Sequence, residues 1–287
     1  MSDEQQVIGS ENVDVKRWTR AEAKELPKTF NRDVLRALVD ARFAAQLKRK
    51  GSDNQIGAIT RRVDLGVDTH ILEALGVDFR TIEAKADRAI KGIVESHEAG
   101  RWAVSIPGIA HTFAGVLLAY VDVKIANTAG KLWRFAGVDP TIEWKKGQKR
   151  PYCALLKTVT WQIGESFKKL GAESDCLYAK LYRSRKALEV ERNEAGMFRE
   201  QALARLAEAT AKKWGISPLQ RETWGSGKLQ PIGLDYRAGR VAAKLFLSHF
   251  HHVLYEVEMG TPPPVPYILG PGGHADYIPP PNWPMVA

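Results

Sequence analysis

The sequence predicts an all-α fold, and three observations carry that expectation. From Phe30 to Gly260, successive segments repeat their apolar residues at helical spacing. Capping residues open these segments and Gly or Pro closes them. The one phrase that resembles an acidic strand, Val63-Asp64-Leu65-Gly66-Val67-Asp68-Thr69, lacks the alternating β-branched hairpin that should follow it. The chain has 287 residues, 44% of them hydrophobic, enough for one large or two medium domains with a sizeable core. Its formal net charge of +9 favours a polyanionic partner, most often nucleic acid, with a membrane surface as the weaker alternative.

Residues 1–28 are polar and read as a loose arm, in which Trp18 is a candidate anchor. Residues 29–100 form a helical region. Asn31 caps a helix to Lys50 with Leu35, Leu38, Val39, Phe43 and Leu47 as its stripe, and Gly51 stops it. The triplet Lys48-Arg49-Lys50 either offsets the helix dipole or meets phosphate. Asp68 or Thr69 then caps a short helix to Leu75, stopped by Gly76. A longer helix opens at Asp78 or Thr81 and runs to about His97.

The organising stretch follows. In Ile106-Pro107-Gly108-Ile109-Ala110-His111-Thr112, Pro107 ends one helix and Gly108 supplies the positive φ of a tight turn. Thr112 caps a second helix carrying Phe113, Val116, Leu117 and Tyr120. This is the helix-hairpin-helix pattern, whose open helix start holds phosphate without reading sequence. Gly108, Ile109, Ala110, His111 and Thr112 are therefore candidate nucleic-acid contacts, although the usual pattern has glycine where this chain has Ala110. The same residues also fit a simple turn between core helices.

Residues 101–260 form the second region. Thr128 caps a short helix with Leu132, Trp133 and Phe135, ended by Gly137 and Pro140. The loop Glu143-Trp-Lys-Lys-Gly-Gln-Lys-Arg150 sets Trp144 among cations, an arrangement suited to a DNA edge. Lys145, Lys146, Lys149 and Arg150 are candidate phosphate contacts, with Lys131 and Arg134 just before them. A helix follows from Pro151 to Leu170. A protruding helical arm is expected near 175–233: a long helix from Asp175 to Trp214, which Gly196 interrupts, and then a connecting loop over 216–233. The arm also offers a route to a homodimer. Asp235 opens the last helix, which Gly260 ends. Residues 261–287 are rich in Pro and Gly and should wrap the body as an extended tail.

The hairpin, the phrase Gly137-Val-Asp-Pro140, the basic loop and the late helix segment Arg240-Val-Ala-Ala-Lys-Leu-Phe246 together resemble the C-terminal domain of the Piv-type DNA invertases and related insertion-sequence transposases. The resemblance implies a DNA-binding framework. Those proteins also have an N-terminal acidic nuclease domain, for which this chain shows no counterpart. They place a nucleophilic serine after the Gly-Val-Asp-Pro-like phrase, where this chain reads Ile142-Glu-Trp-Lys-Lys-Gly147. Strand-exchange chemistry does not carry over.

Other residues suit different chemistry. An aspartate downstream of such a hairpin can stabilise cationic charge at a sugar, which makes Asp122, the nearer, and Asp139 candidates, although a cap or turn residue is the more common use of aspartate. His274 and Asp276, in a Gly-rich loop held by prolines, could form a site on a rigid loop or be a turn. An enzyme that acts on an extruded base needs an aromatic pocket, and Trp133, Phe135, Trp144, Tyr152 and Trp161 could line one or belong to the core. His249, His252 and Glu256 share a helix face, but one helix supplies too few ligands for a metal site. Cys153 and Cys176 show no metal spacing and suit a reducing compartment. The expectation is a DNA-binding enzyme that modifies bases in duplex DNA, a phage-type transferase adding an amino acid or amine to an activated pyrimidine. The alternatives are a transposase-derived accessory protein without catalysis and an active recombinase. No cofactor, no metal and no membrane partner are expected, and the absence of a signal-peptide pattern or a bilayer-long apolar run points to the cytoplasm.

Overall fold

Asn31 acts as the sequence predicts, its side chain accepting from the Val34 amide at 3.0 Å to start the first helix. The computed structural model describes residues 29–61, 69–265 and 277–285, and within them the fold is all-α with no strand. Trp18, Asp64, Asp68, His274 and Asp276 lie outside the described residues.

Helix α1 spans Arg32–Thr60 and α2 spans His70–Ser96. Both outrun their expected ends, because Gly51 and Gly76 lie inside them. Each glycine costs about 1 kcal/mol against alanine in a helix, and ion pairs between the helices offset that locally. Arg42 meets Asp87, Arg49 meets Glu83 and Arg80 meets Asp53, a falling register that makes the pair antiparallel.

Helix α3 (Glu98–Ser105) and α4 (His111–Tyr120) flank the central turn. Gly108 takes φ +90 as expected. Thr112 does not cap α4. The cap is Ala110, which offers no side-chain bond, and the Thr112 hydroxyl instead donates to Asp87 at 3.0 Å. Helix α5 (Ala129–Phe135) is capped by Thr128, whose Oγ1 accepts from the Lys131 amide. Helix α6 runs Ala154–Lys169.

The region expected as a long helix and a loop has a different form. Helix α7 (Leu177–Glu194) ends at the interruption expected near Gly196, which takes φ +76, and α8 (Arg199–Ala211) follows as a separate helix. A further helix, α9 (Pro218–Gly225), lies where a loop was expected. Ser217 and Gln220 form a capping box around it, and Pro218 sits in its first turn, where proline's missing N–H costs nothing. Helix α10 spans Pro231–Met259, starting a turn before Asp235. Ala202, Ala209, Trp224, Leu229 and Leu234 form a small second core here, joined by the buried Asn193, which bonds both the amide and the carbonyl of Leu229.

The main core centres on α10. Phe246 stacks on Trp102 of α3 with ring centres 5.8 Å apart, and Phe167 of α6 stacks on Tyr178 of α7 at 4.9 Å. Helices α6 and α10 cross at Gly164 and Gly239, so closely that a Cβ on Gly164 would lie 2.8 Å from the Gly239 carbonyl oxygen. Residues 277–285 strap α3 and α10 together. The Trp102 indole donates to the Pro281 carbonyl at 2.7 Å, and the Trp283 indole donates to Glu256 at 2.6 Å. Among the described residues, no helix is long and apolar enough to cross a membrane.

Candidate nucleic-acid interface

The end of α5 sets up the site. Gly137 takes φ +66 and reverses the chain, so that the Val138 amide bonds the Trp133 carbonyl at 3.0 Å. Asp139 then fixes the next turn, its Oδ1 accepting from the Thr141 amide at 2.9 Å and from the Thr141 hydroxyl at 2.7 Å. Those two bonds hold the Asp139 carboxyl below the usual range, with Arg134 and Lys244 adding to the effect, so it is ionised. The Trp144 indole donates to the Gln148 carbonyl at 2.9 Å and so is tied to its own loop. The Cys153 amide bonds the Phe135 carbonyl at 2.9 Å, bringing the chain back to the end of α5.

These turns enclose a cleft of about 230 Å³, lined by Gly137, Asp139, Ile142, Trp144, Tyr152 and Lys157. Cations sit on the aromatic rings around it. Arg150 lies 5.5 Å from the Trp144 ring centre, Lys157 lies 4.2 Å from that of Tyr152, and Lys244 lies 3.9 Å from that of Trp133. Burial lowers the Lys244 pKa, and Asp139 opposes that shift. Among the described residues, Lys131, Lys145, Lys146, Lys149, Arg150 and Lys157 pair with no carboxylate. Lysines 145, 146 and 149 and Arg150 are all exposed. Sequence reasoning found Trp144, Tyr152 and the loop cations. It missed Lys157 and Lys244. Lys244 reaches Trp133 through the packing of α10 on α5, which no local spacing reports.

The hairpin is built differently. The Ser166 hydroxyl donates to the Gly108 carbonyl, and a Cβ on Gly108 would lie 2.9 Å from that hydroxyl and 3.6 Å from Leu170. Ile109 is buried. Around the start of α4, His111 pairs with Glu95 at 3.1 Å and Thr112 bonds Asp87, so two carboxylates already face the positive end of the helix. The hairpin meets α6 at Ser166, whereas the basic loop leads into α6 at Ala154. The two candidate contact regions are therefore separated along α6 by about 18 Å, at 1.5 Å per residue.

Asp122 does not line the cleft. Its Oδ1 accepts from the Lys124 amide at 2.8 Å, and its Oδ2 lies 3.9 Å from Arg32, which also pairs with Glu258. Burial raises the Glu258 pKa, and Asp122 adds to that rise. Phe135 packs against the core and Trp161 contacts Tyr236, away from the cleft. His249 is buried. It donates from Nε2 to the Ile278 carbonyl at 2.8 Å and accepts from the Tyr178 hydroxyl at 2.8 Å, and burial lowers its pKa to about 4. Nearby, His252 pairs with Glu256 at 3.1 Å. Among the described residues, no group of three or more His, Cys, Asp or Glu side chains is placed to hold a metal.

Neither a protein family, nor a curated protein, nor a solved structure matches the chain.

Proposed function

We propose that the chain binds duplex DNA through its phosphates, along the cationic edge from Lys131 to Lys157, and modifies a base there. The observation that supports this reading is that Lys131, Lys145, Lys146, Lys149, Arg150 and Lys157, around one cleft, have no carboxylate partner among the described residues. Lysines and arginines kept free of carboxylates give up no internal ion pair when they meet phosphate, and each contact releases a condensed counterion. The cleft beside them opens on the same loops, so a nucleotide of the bound duplex lies within its reach.

The modification is a displacement on an activated pyrimidine: the nitrogen of an amino acid or amine forms a C–N bond to the hydroxymethyl carbon of the base, the C–O bond to its phosphate breaks, the phosphate leaves and the nitrogen sheds a proton to solvent, with no strand cleavage. Asp139, held ionised at the cleft, would stabilise positive charge on the incoming amine. His274 and Asp276 are the further candidates for proton transfer, and Asp122 serves its turn and Arg32. In this reading Gly108, Ile109, Ala110, His111 and Thr112 support the edge as framework, because carboxylates and α6 attend that turn. The alternative is a DNA-binding accessory protein with no catalysis.

Two measurements separate these readings. Titration of duplex DNA should show affinity falling steeply with salt and little sequence preference. Incubation with plain and with phosphorylated hydroxymethylpyrimidine DNA plus amino acids, read by nucleoside mass spectrometry, should yield an amino-acid adduct only on the activated base. Steep salt dependence with no adduct leaves the accessory protein, and binding indifferent to salt overturns both.

A further inference from the structure

We infer that the cleft beside the basic loop receives one unpaired nucleobase of a bound strand. This rests on the DNA-binding reading and specifies what the protein holds once bound. Two aromatic side chains line the cleft, and both are fixed in place. Trp144 is tied through its indole to Gln148. Tyr152 closes over the end of α5, where a Cβ on Gly137 would lie 2.9 Å from the Tyr152 ring and 3.0 Å from the Lys157 side chain. Only glycine lets that ring lie there.

Size sets the occupant. The cleft measures about 230 Å³, below the roughly 300–1,000 Å³ of sites that take drug-sized ligands. It admits a single ring system and no base pair. A base inside a duplex is stacked and paired, so the occupant has to be flipped out, bulged or single-stranded. Its face meets Trp144 and Tyr152, and the Asp139 carboxylate offers an acceptor to a base edge that donates a hydrogen bond. Arg150 and Lys157 lie on the same two rings, so the phosphates flanking the base meet cations. Stacking of this kind tolerates any base, which suits a protein that otherwise holds only backbone.

The test compares the full chain on an intact duplex and on the same duplex with one bulged 2-aminopurine. We expect the bulged duplex to bind about 5- to 150-fold tighter, the range that stacking on aromatic side chains supplies, and the bound 2-aminopurine to be quenched by ring contact. The double variant Trp144→Leu, Tyr152→Leu should lose that preference while the salt slope, set by the cations, is retained. Trp144→Phe alone should keep most of the preference. A wild-type protein with no preference, or a folded double variant that keeps it, overturns the inference. Should the double variant not fold, the wild type decides alone, because a bright, unquenched 2-aminopurine in the complex also overturns it. Absence of any salt-dependent DNA binding removes the DNA-binding reading itself, and the inference with it.

Discussion

The hairpin of α3 and α4 and the basic loop after α5 are both turns built on a positive-φ glycine, yet they use it for different ends. At Gly108 the freed space is filled by Ser166 and Leu170, and the helix that follows starts among Asp87 and Glu95. At Gly137 the freed space lets Tyr152 close over the turn, and among the described residues the loop cations and Lys157 pair with no carboxylate. A motif read along the chain reports which backbone conformation is needed. It does not report what surrounds the turn, and that decides whether a helix start or a cation is available to a ligand.

The contrast can be tested, beginning with the largest effect. Replacing Lys145, Lys146, Lys149 and Arg150 together by alanine should cost most of the DNA affinity and lower the salt slope by roughly 3 to 4, about one per lost phosphate contact. Circular dichroism should show an unchanged helical signal, because these side chains are exposed. An unchanged slope would mean that the loop does not meet phosphate.

Gly108→Val should act on stability. Positive φ in a β-branched residue costs about 1–3 kcal/mol, and the new Cβ would also press on Ser166. Thermal melts should show the loss, while DNA affinity at a temperature where the variant is folded stays within about twofold of wild type, well under the tenfold that 1.4 kcal/mol represents. A larger loss of affinity would show that the hairpin also takes phosphate.

Acid should separate the two regions further. Burial lowers the pKa of His97, at the junction of α2 and α3, and of His249 under the strap, from the ordinary 6.5 to about 4. The unfolded chain therefore takes up these protons first. The stability that depends on neutral histidines is present above pH 6.5 and is lost as pH falls towards 4. Melting temperature should drop across that window, and His97→Leu and His249→Gln should each flatten the drop. Among the described residues no histidine lines the cleft, so DNA affinity at pH 6 should match that at pH 7.

The smallest effect is expected from Glu95→Gln. One exposed charge at a helix end is worth about 0.3–1 kcal/mol. With the phosphates on the loop, DNA affinity should change by less than about twofold in titration. A marked gain would place phosphate at the start of α4.

The helical class and most helix starts were legible in the sequence, because caps such as Asn31 and Thr128 act within three residues of themselves. Gly51 and Gly76 misled, because what holds the chain helical there is the partner helix, through Arg49–Glu83 and Arg80–Asp53. Pro218 misled in the opposite way. Its neighbours Ser217 and Gln220 form a capping box, a local signal outweighed in the reading by the density of Pro and Gly around it. Of the cleft, Trp144, Tyr152 and Asp139 were legible as residue types. Their convergence was not, because it depends on Gly137 reversing the chain and on the Cys153 amide returning to Phe135. Thr112 shows the same limit, since its partner Asp87 lies 25 residues earlier.

The strap has a consequence for how the molecule is made. Trp102, at the centre of the core, finds the acceptor for its indole N–H at Pro281, 179 residues later in the chain. A ribosome emits residues in order, so α1 to α10 all leave it before that acceptor does. Until then Trp102 lacks this partner, and Ser105, His249 and Glu256 lack Asn282, Ile278 and Trp283. Contacts so distant in sequence form late, since closing the loop between them costs entropy before any of them is gained. Translation thus leaves an interval in which the helices have assembled but their seal is missing, and a stop codon ahead of residue 277 would make that interval permanent.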